Sequence, residues 1–305
     1  MPQHLSRRRF SLAAGTALLS ALVTPVRAIE PFKRPGKSRL HLSLAAYSFR
    51  QFFTDTTERN RAAADKQIDL FQFIDYCAEH NCQGAELTSY YFPKEVTNDL
   101  LLKIKRHAFL RGIELSGTAV GNTFTHPPGE RSQREIAHVK KWIDYSAVAG
   151  MPHIRVFAGN SERQTFQVAK KNCIAALEEC CDYAADRGVF LGIENHGGIV
   201  AEPEPLLDII RSVNSPWLGI NLDTGNFHTE DPYGDLARCA PYAVNVQVKT
   251  EMRPKNGRTQ ATDLKRVIQI LRDANYQGYL VLEYEAAEDP FKAVPRVLSE
   301  LAALI

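Results

Sequence analysis

The chain lacks several features that would each have fixed its class. Its six cysteines form no Cys-x-x-Cys pair, and no tract is of low complexity. Beyond the first residues there is no apolar run of the roughly 20 residues that a membrane-spanning helix needs. No Gly-x-Gly-x-x-Gly follows the first strand-like segment, which counts against a dinucleotide-binding fold. Charge of one sign is missing too, because 37 Lys and Arg face 35 Asp and Glu in 305 residues. Without a basic stripe the sequence has no electrostatic footprint for nucleic acid. What is present, 44% hydrophobic and 24% charged residues, suits one large globular domain or two small ones.

The first residues stand apart. Ser6-Arg7-Arg8-Arg9-Phe10-Ser11-Leu12 leads into an apolar run from Leu12 to Val23, then Val26-Arg27-Ala28. A basic start, a short apolar stretch and small residues at a cleavage site describe an export signal. The paired arginines before Phe and Leu resemble a twin-arginine signal, which exports proteins already folded, so a periplasmic or otherwise exported location is expected. An uncleaved anchor is the alternative, and the apolar run is short for it. Residues 1–28 are set aside from the fold on this basis. Losing their four arginines takes the formal charge from +2 to −2. Residues 29–40, with their basic, Pro- and Gly-containing run Lys33–Arg39, read as a solvated linker, leaving 41–305 as the domain. An even cysteine count in an exported protein is compatible with disulfides, whereas folding in a reducing cytosol before export is compatible with buried thiols.

From residue 41 onward one pattern repeats: a short apolar, β-rich run, a polar loop, then a helical stretch. The expected strands are His41–Tyr47, Gly84–Leu87, Ile113–Thr118, His153–Phe157, Val189–Glu194, Leu218–Leu222, Ala243–Lys249 and Tyr279–Glu283. Helical stretches between them include Ile68–Glu79, Asn98–Arg111, Arg131–Val148, Arg163–Arg187 and Leu264–Asn275. Glycine just past a helix, as in Arg111-Gly112 and Arg187-Gly188, is the expected stop. Alternating strands and helices imply a parallel sheet covered by helices. Eight units in this length suit a single closed (β/α)8 TIM barrel rather than an open sheet.

In such a barrel the chemistry collects at the C-terminal ends of the strands. The fifth strand ends on Glu194, followed by Asn195-His196-Gly197-Gly198, and the sixth on Asp223, followed by Thr224-Gly225-Asn226. The seventh places Asn245, Gln247 and Lys249 on one face, and the eighth ends on Glu283 and Glu285. A carboxylate closing an apolar strand is costly to bury without a cation or partner. Any one of these acids alone is as readily a surface or capping carboxylate. Three acids and an amide at the same level on successive strands form a candidate site, and oxygen donors of this kind suit Mg²⁺ or Mn²⁺, with Zn²⁺ or Co²⁺ as further candidates.

Val189–Gly198, Asp223–Asn226, Gln247–Lys249 and Leu282–Glu285 resemble the xylose isomerase-like barrels, which include sugar isomerases, keto-sugar 3-epimerases and inosose dehydratases. The resemblance implies a divalent ion held by Glu194, Asp223, Gln247 and Glu283. It gives Glu194 and Glu283 the exchange of a proton α to a carbonyl through an enediolate. Two departures stand out: Gln247 occupies the position of the family's histidine, and the usual Asp-x-x-His is Asp223-Thr224-Gly225-Asn226 with His228 two residues later.

Further substrate-binding candidates are His196, Asn226, Lys249, Glu86, Arg155 and His126. His196 reads equally as a structural rim residue, Lys249 as a salt bridge to Glu283 or Glu285, and Glu86 and Arg155 as a buried pairing group. Tyr47, Tyr90 and Phe124 are candidates for an apolar wall against a sugar face. The leading expectation is an isomerase or epimerase of a non-phosphorylated sugar, since sugar phosphates are mostly cytosolic. A lyase that eliminates a β leaving group, for example from a 3-keto-glycoside, is the nearest rival, and a non-catalytic sugar-binding barrel a further one. Endonuclease-IV-like hydrolysis would need more histidines than His196 and His228. A small carbohydrate is the expected partner, with self-association left open.

Overall fold

The computed structural model describes residues 29–56 and 61–305, so the expected export signal at residues 1–28 lies outside the described residues. Eight parallel strands close into a barrel in sequence order: β1 (Arg39–Ala45), β2 (Gly84–Glu86), β3 (Glu114–Ala119), β4 (His153–Val156), β5 (Phe190–Glu194), β6 (Leu218–Asp223), β7 (Ala243–Val248) and β8 (Gln277–Leu282). The last strand pairs with the first, Leu44 opposite Leu282. Each strand leads to one outer helix: α1 (Leu70–Glu79), α2 (Asn98–Leu110), α3 (Glu130–Ala149), α4 (Phe166–Ala185), α5 (Pro203–Ser212), α6 (Pro232–Cys239), α7 (Leu264–Asp273) and α8 (Pro290–Ala302). The expected (β/α)8 barrel is the architecture found.

Local chemistry sets the helix boundaries. Asp69 and Gln72 form a reciprocal capping box that starts α1. Thr165 accepts from the Val168 amide, so α4 starts at Phe166 rather than at Arg163. Gly150, at φ +81°, ends α3 in the left-handed region where a side chain would be strained. In α7, Leu264, Val267, Ile268 and Leu271 recur at helical spacing and are buried against the barrel. Among the described residues no helix is long and apolar enough to cross a membrane.

Inside the barrel, inward-facing glycines make room for large neighbours. A Cβ on Gly192 would lie 2.4 Å from His153 Nε2 and 3.0 Å from Asn221 Cβ. His153 fills that space from β4, buried, with neither ring nitrogen hydrogen-bonded. Burial, assisted by Arg155, pushes its imidazole down to about 3, so it packs as a neutral ring.

The leader departs from expectation. Phe32 N donates to Pro241 O at 3.0 Å, the Arg34 guanidinium donates to Ala243 O and lies over the rings of Phe32 and Tyr276, and Ser38 Oγ donates to Tyr276 O. Residues 32–38 are therefore anchored beneath the barrel rather than solvated, because their carbonyl and aromatic partners all lie at the N-terminal face. All six cysteines are free and buried, which settles the thiol question in favour of packing.

Candidate active site

Strand register assembles the mouth. Glu194 on β5 stands opposite Asn221 on β6, and Asp223 opposite Gln247 on β7. The β6–β7 pairing steps from Ile220–Ala243 to Asn221–Asn245, leaving Val244 as an extra residue. That bulge pairs Asn245 with Asn221 and Gln247 with Asp223. Glu283 follows β8 directly, its amide bonded to Val248 O at 2.9 Å.

Deepest is a closed ring of polar side chains. Asn245 Nδ2 donates to Glu86 Oε2 (3.0 Å) and to Asn221 Oδ1 (2.9 Å). Asn221 Nδ2 donates to Gln247 Oε1 (2.7 Å), and Gln247 Nε2 returns to Glu86 Oε1 (2.8 Å). All four residues are buried, so each needs these partners to offset lost hydration. Glu86 therefore belongs to the floor, with both oxygens committed to amides of β7. Burial, with the nearby charge of Glu283, pushes its carboxyl up to about 7.

Above the floor the charges divide into two groups. Arg155 Nε lies 2.8 Å from Glu194 Oε2, a buried ion pair by distance that is off the hydrogen-bond line. Its Nη1 donates to Val120 O at 2.8 Å, and the Tyr90 hydroxyl is 3.4 Å from Nη2. Glu194 Oε1 accepts from Asn226 Nδ2 at 2.8 Å and is 2.8 Å from His196 Nδ1. Burial alone would raise the Glu194 carboxyl, but Arg155 and then His196 outweigh it and hold it below its ordinary value. The second group centres on Lys249. Its ammonium donates to Glu283 Oε2 (2.8 Å) and Glu285 Oε2 (2.5 Å). Asp223 Oδ2 lies 3.2 Å from the same ammonium but is buried without a hydrogen-bond partner. Burial, reinforced by the neighbouring carboxylates, raises Asp223 and Glu283 despite Lys249. Lys249 itself is raised, because its three acid neighbours outweigh the cost of burial.

The structure thus brings together Glu194, Asp223, Glu283, Arg155, Lys249, His196 and Asn226, places Gln247 and Glu86 beneath them, and sets His126 apart. His126 is buried in the loop after β3, with Nδ1 3.9 Å from Glu162. Among the described residues no group of three or more His, Cys, Asp and Glu side chains is drawn together as a metal site. Phe124 is buried, whereas Tyr90 sits at the mouth edge-on to Tyr47. Sequence reading passed over three residues here. Asn195 bridges β5 to β6 through Asp223 N and O, Asn221 closes the floor ring, and Phe157 lies under Arg155 (3.9 Å) and His196 (4.4 Å). Asn221 carried a usable signal: it precedes Asp223 by two residues, on the same strand face.

A closed parallel barrel with buried acids and bases at its C-terminal mouth has its polar groups where barrels of this class carry their active sites. Residues 74–301 match the xylose isomerase-like TIM barrel family, and the chain belongs to it. Compared by sequence with curated proteins, it has no match. Solved structures show the same fold at low identity. The 3-keto-D-glucoside 4-epimerase YcjR of E. coli is 16% identical, with a TM-score of 0.68 over 87% of this chain and 100% of that one. A D-psicose 3-epimerase is 16% identical, with 0.67 over 82% and 86%. The probable 3-DHS dehydratase AsbF of Bacillus anthracis is 15% identical, with 0.60 over 87% and 98%.

Proposed function

We propose that the chain is an enzyme that removes a proton α to the carbonyl of a non-phosphorylated sugar or keto-sugar and returns it, as an isomerase or epimerase. The observation that carries this reading is the convergence of two buried carboxylates on separate strands, Glu194 and Glu283, with two buried cations, Arg155 and Lys249. Glu194 and Glu283 exchange the proton between them and the substrate carbon. Lys249 and Arg155 offer fixed positive charge to the oxygen on which the enediolate's charge develops, in a site where water screens little. Asn226 and His196 hold the Glu194 carboxylate in one orientation.

The residues also fit a divalent ion, Mn²⁺ or Mg²⁺. Asp223 Oδ2 is buried without a hydrogen-bond partner, and the donors are hard oxygens. The buried acids Glu86, Glu194, Asp223 and Glu283 outnumber the cations Arg155 and Lys249. Glu194, Asp223 and Glu283 would hold the ion once Glu194 and Glu283 turn from Arg155 and Lys249, because the three are not drawn together as they stand. Gln247, the fourth expected ligand, is engaged by Asn221 in the floor. When bound, such an ion polarises the carbonyl as a Lewis acid. The twin-arginine-like sequence of residues 1–28 supports export, and with it a substrate without phosphate.

The likeness to a dehydratase favours a second outcome of the same proton removal, loss of a β leaving group. One experiment tests both: incubation with keto-sugars in D₂O, followed by NMR. Deuterium entering at the carbon α to the carbonyl supports proton removal, and a released leaving group identifies a lyase. Glu194→Gln and Glu283→Gln should each slow exchange by at least about 10²-fold with the circular dichroism spectrum unchanged. Near-wild-type exchange in both would refute the assignment.

A further inference from the structure

Beside the mouth lies a cavity of about 340 Å³, between the Gly225–His228 loop after β6 and the segment that follows β7. It shares Asn226, Lys249 and Glu285 with the site, so it opens directly off the carboxylates. Its outer wall is a ribbon in which Glu251–Met252 pairs antiparallel with Gln260–Ala261. Two contacts pin that ribbon to the β6 loop: Lys255 N donates to Thr229 O at 2.7 Å, and His228 Nδ1 donates to Arg253 O at 2.9 Å. At its base the two backbones nearly touch, since a Cβ on Gly225 would lie 2.9 Å from Glu251 O. The cavity is therefore built into the fold, with main-chain contacts on both sides.

Its lining identifies the occupant's chemistry. His228, Thr250, Glu251, Arg253 and Thr259 supply hydrogen-bonding groups, no Phe, Tyr or Trp lines it, and Met252 and Ala286 are its apolar side chains. The side chains of Glu251, Arg253 and Thr259 are exposed, and no hydrogen bond or ion pair to another described residue engages them, so a ligand replaces only water there. Apolar ligands gain from aromatic and aliphatic walls, whereas unspent donors and acceptors reward a hydroxylated one.

We propose that this cavity is a second sugar subsite. The substrate is then a disaccharide or longer glycoside: the ring bearing the carbonyl lies over Glu194 and Glu283, and the ring joined to it lies against His228, Arg253 and Thr259. This rests on the reading above that the mouth removes a proton α to a sugar carbonyl.

The test compares deuterium exchange in D₂O for two monosaccharide ketoses, D-fructose and D-psicose, with three disaccharide keto-sugars, maltulose, lactulose and 3-ketosucrose. The full chain is used, as wild type, Thr259→Trp and Arg253→Ala. The wild type should exchange at least one of the disaccharides with a kcat/KM tenfold or more above either monosaccharide. Thr259→Trp, which fills the cavity, should lower that disaccharide-to-monosaccharide ratio tenfold or more, and Arg253→Ala should lower it in the same direction. Thermal melts equal to wild type establish that both variants fold. Exchange favouring monosaccharides, or a ratio untouched by both variants, overturns the subsite and leaves proton removal standing. No exchange with any of the five sugars overturns both.

Discussion

The Arg155–Glu194 pair gives the most direct energetic test of the site. Its side chains are only 5% and 4% exposed, and their nearest atoms lie 2.8 Å apart. Removing one partner of such a pair leaves an uncompensated charge in a poorly solvated place, at a cost of about 3–5 kcal/mol. Arg155→Met keeps most of the apolar stem but strands the Glu194 carboxylate on His196 and Asn226 alone. Glu194→Gln strands the guanidinium, which retains its bond to Val120 O. The double variant removes both charges, and its loss should fall short of the sum of the singles by about 2 kcal/mol. Urea unfolding followed by circular dichroism measures all four proteins, in buffer with EDTA so that no bound ion contributes. Single losses that add to the double loss within about 0.5 kcal/mol would refute the claim that the two charges depend on each other.

Three further outcomes follow from the barrel interior and its closure. His153 is held neutral down to about 3, below the roughly 6.5 of an unfolded chain, so above pH 6.5 it contributes no pH dependence. Below that, the unfolded state gains a proton the folded state refuses, and stability falls by about 1.4 kcal/mol per pH unit, about 2 kcal/mol at pH 5. Urea midpoints at pH 7 and pH 5 should show a smaller loss for His153→Gln, and an equal loss in both proteins would remove His153 as the cause. Gly192→Ala drives a Cβ to 2.4 Å from His153 Nε2 and should cost about 1–3 kcal/mol, largely restored by adding His153→Ala; a melt unchanged by the single substitution counts against the packing described. Arg34→Ala removes the guanidinium from Ala243 O and from the rings of Phe32 and Tyr276, and should lower the melting temperature measurably, whereas a solvated linker would show no change.

The barrel was legible because its signals are local. Post-helical glycines and short β-rich runs each report on a few neighbouring positions, and eight repetitions in one order leave little choice of topology. The acids Glu194, Asp223 and Glu283 were legible for a related reason: each closes an apolar strand, where a buried charge demands an explanation. The leader misled because its composition is that of a solvated segment, while its partners, Pro241, Ala243 and Tyr276, lie over 200 residues away. Composition reports solubility, and such contacts are set by the closed barrel alone.

Sequence distance also bears on the expected ligand Gln247 and the expected substrate-binding residue Glu86. In sequence, Gln247 and Glu86 are separate polar residues 161 apart, and each reads as a hand reaching for an ion or a sugar. The barrel instead makes them neighbours, and once Asn221 and Asn245 close the ring, each of the four side chains has a partner within it and both Glu86 oxygens are engaged. The amides of that ring are turned to one another and to Glu86, whereas Asp223 Oδ2, buried without a hydrogen-bond partner, still has a lone pair to spend. The proposed proton removal therefore falls to Glu194 and Glu283 with Asp223 and Lys249 beside them, while the amides of the ring tie the ends of β2, β6 and β7 together.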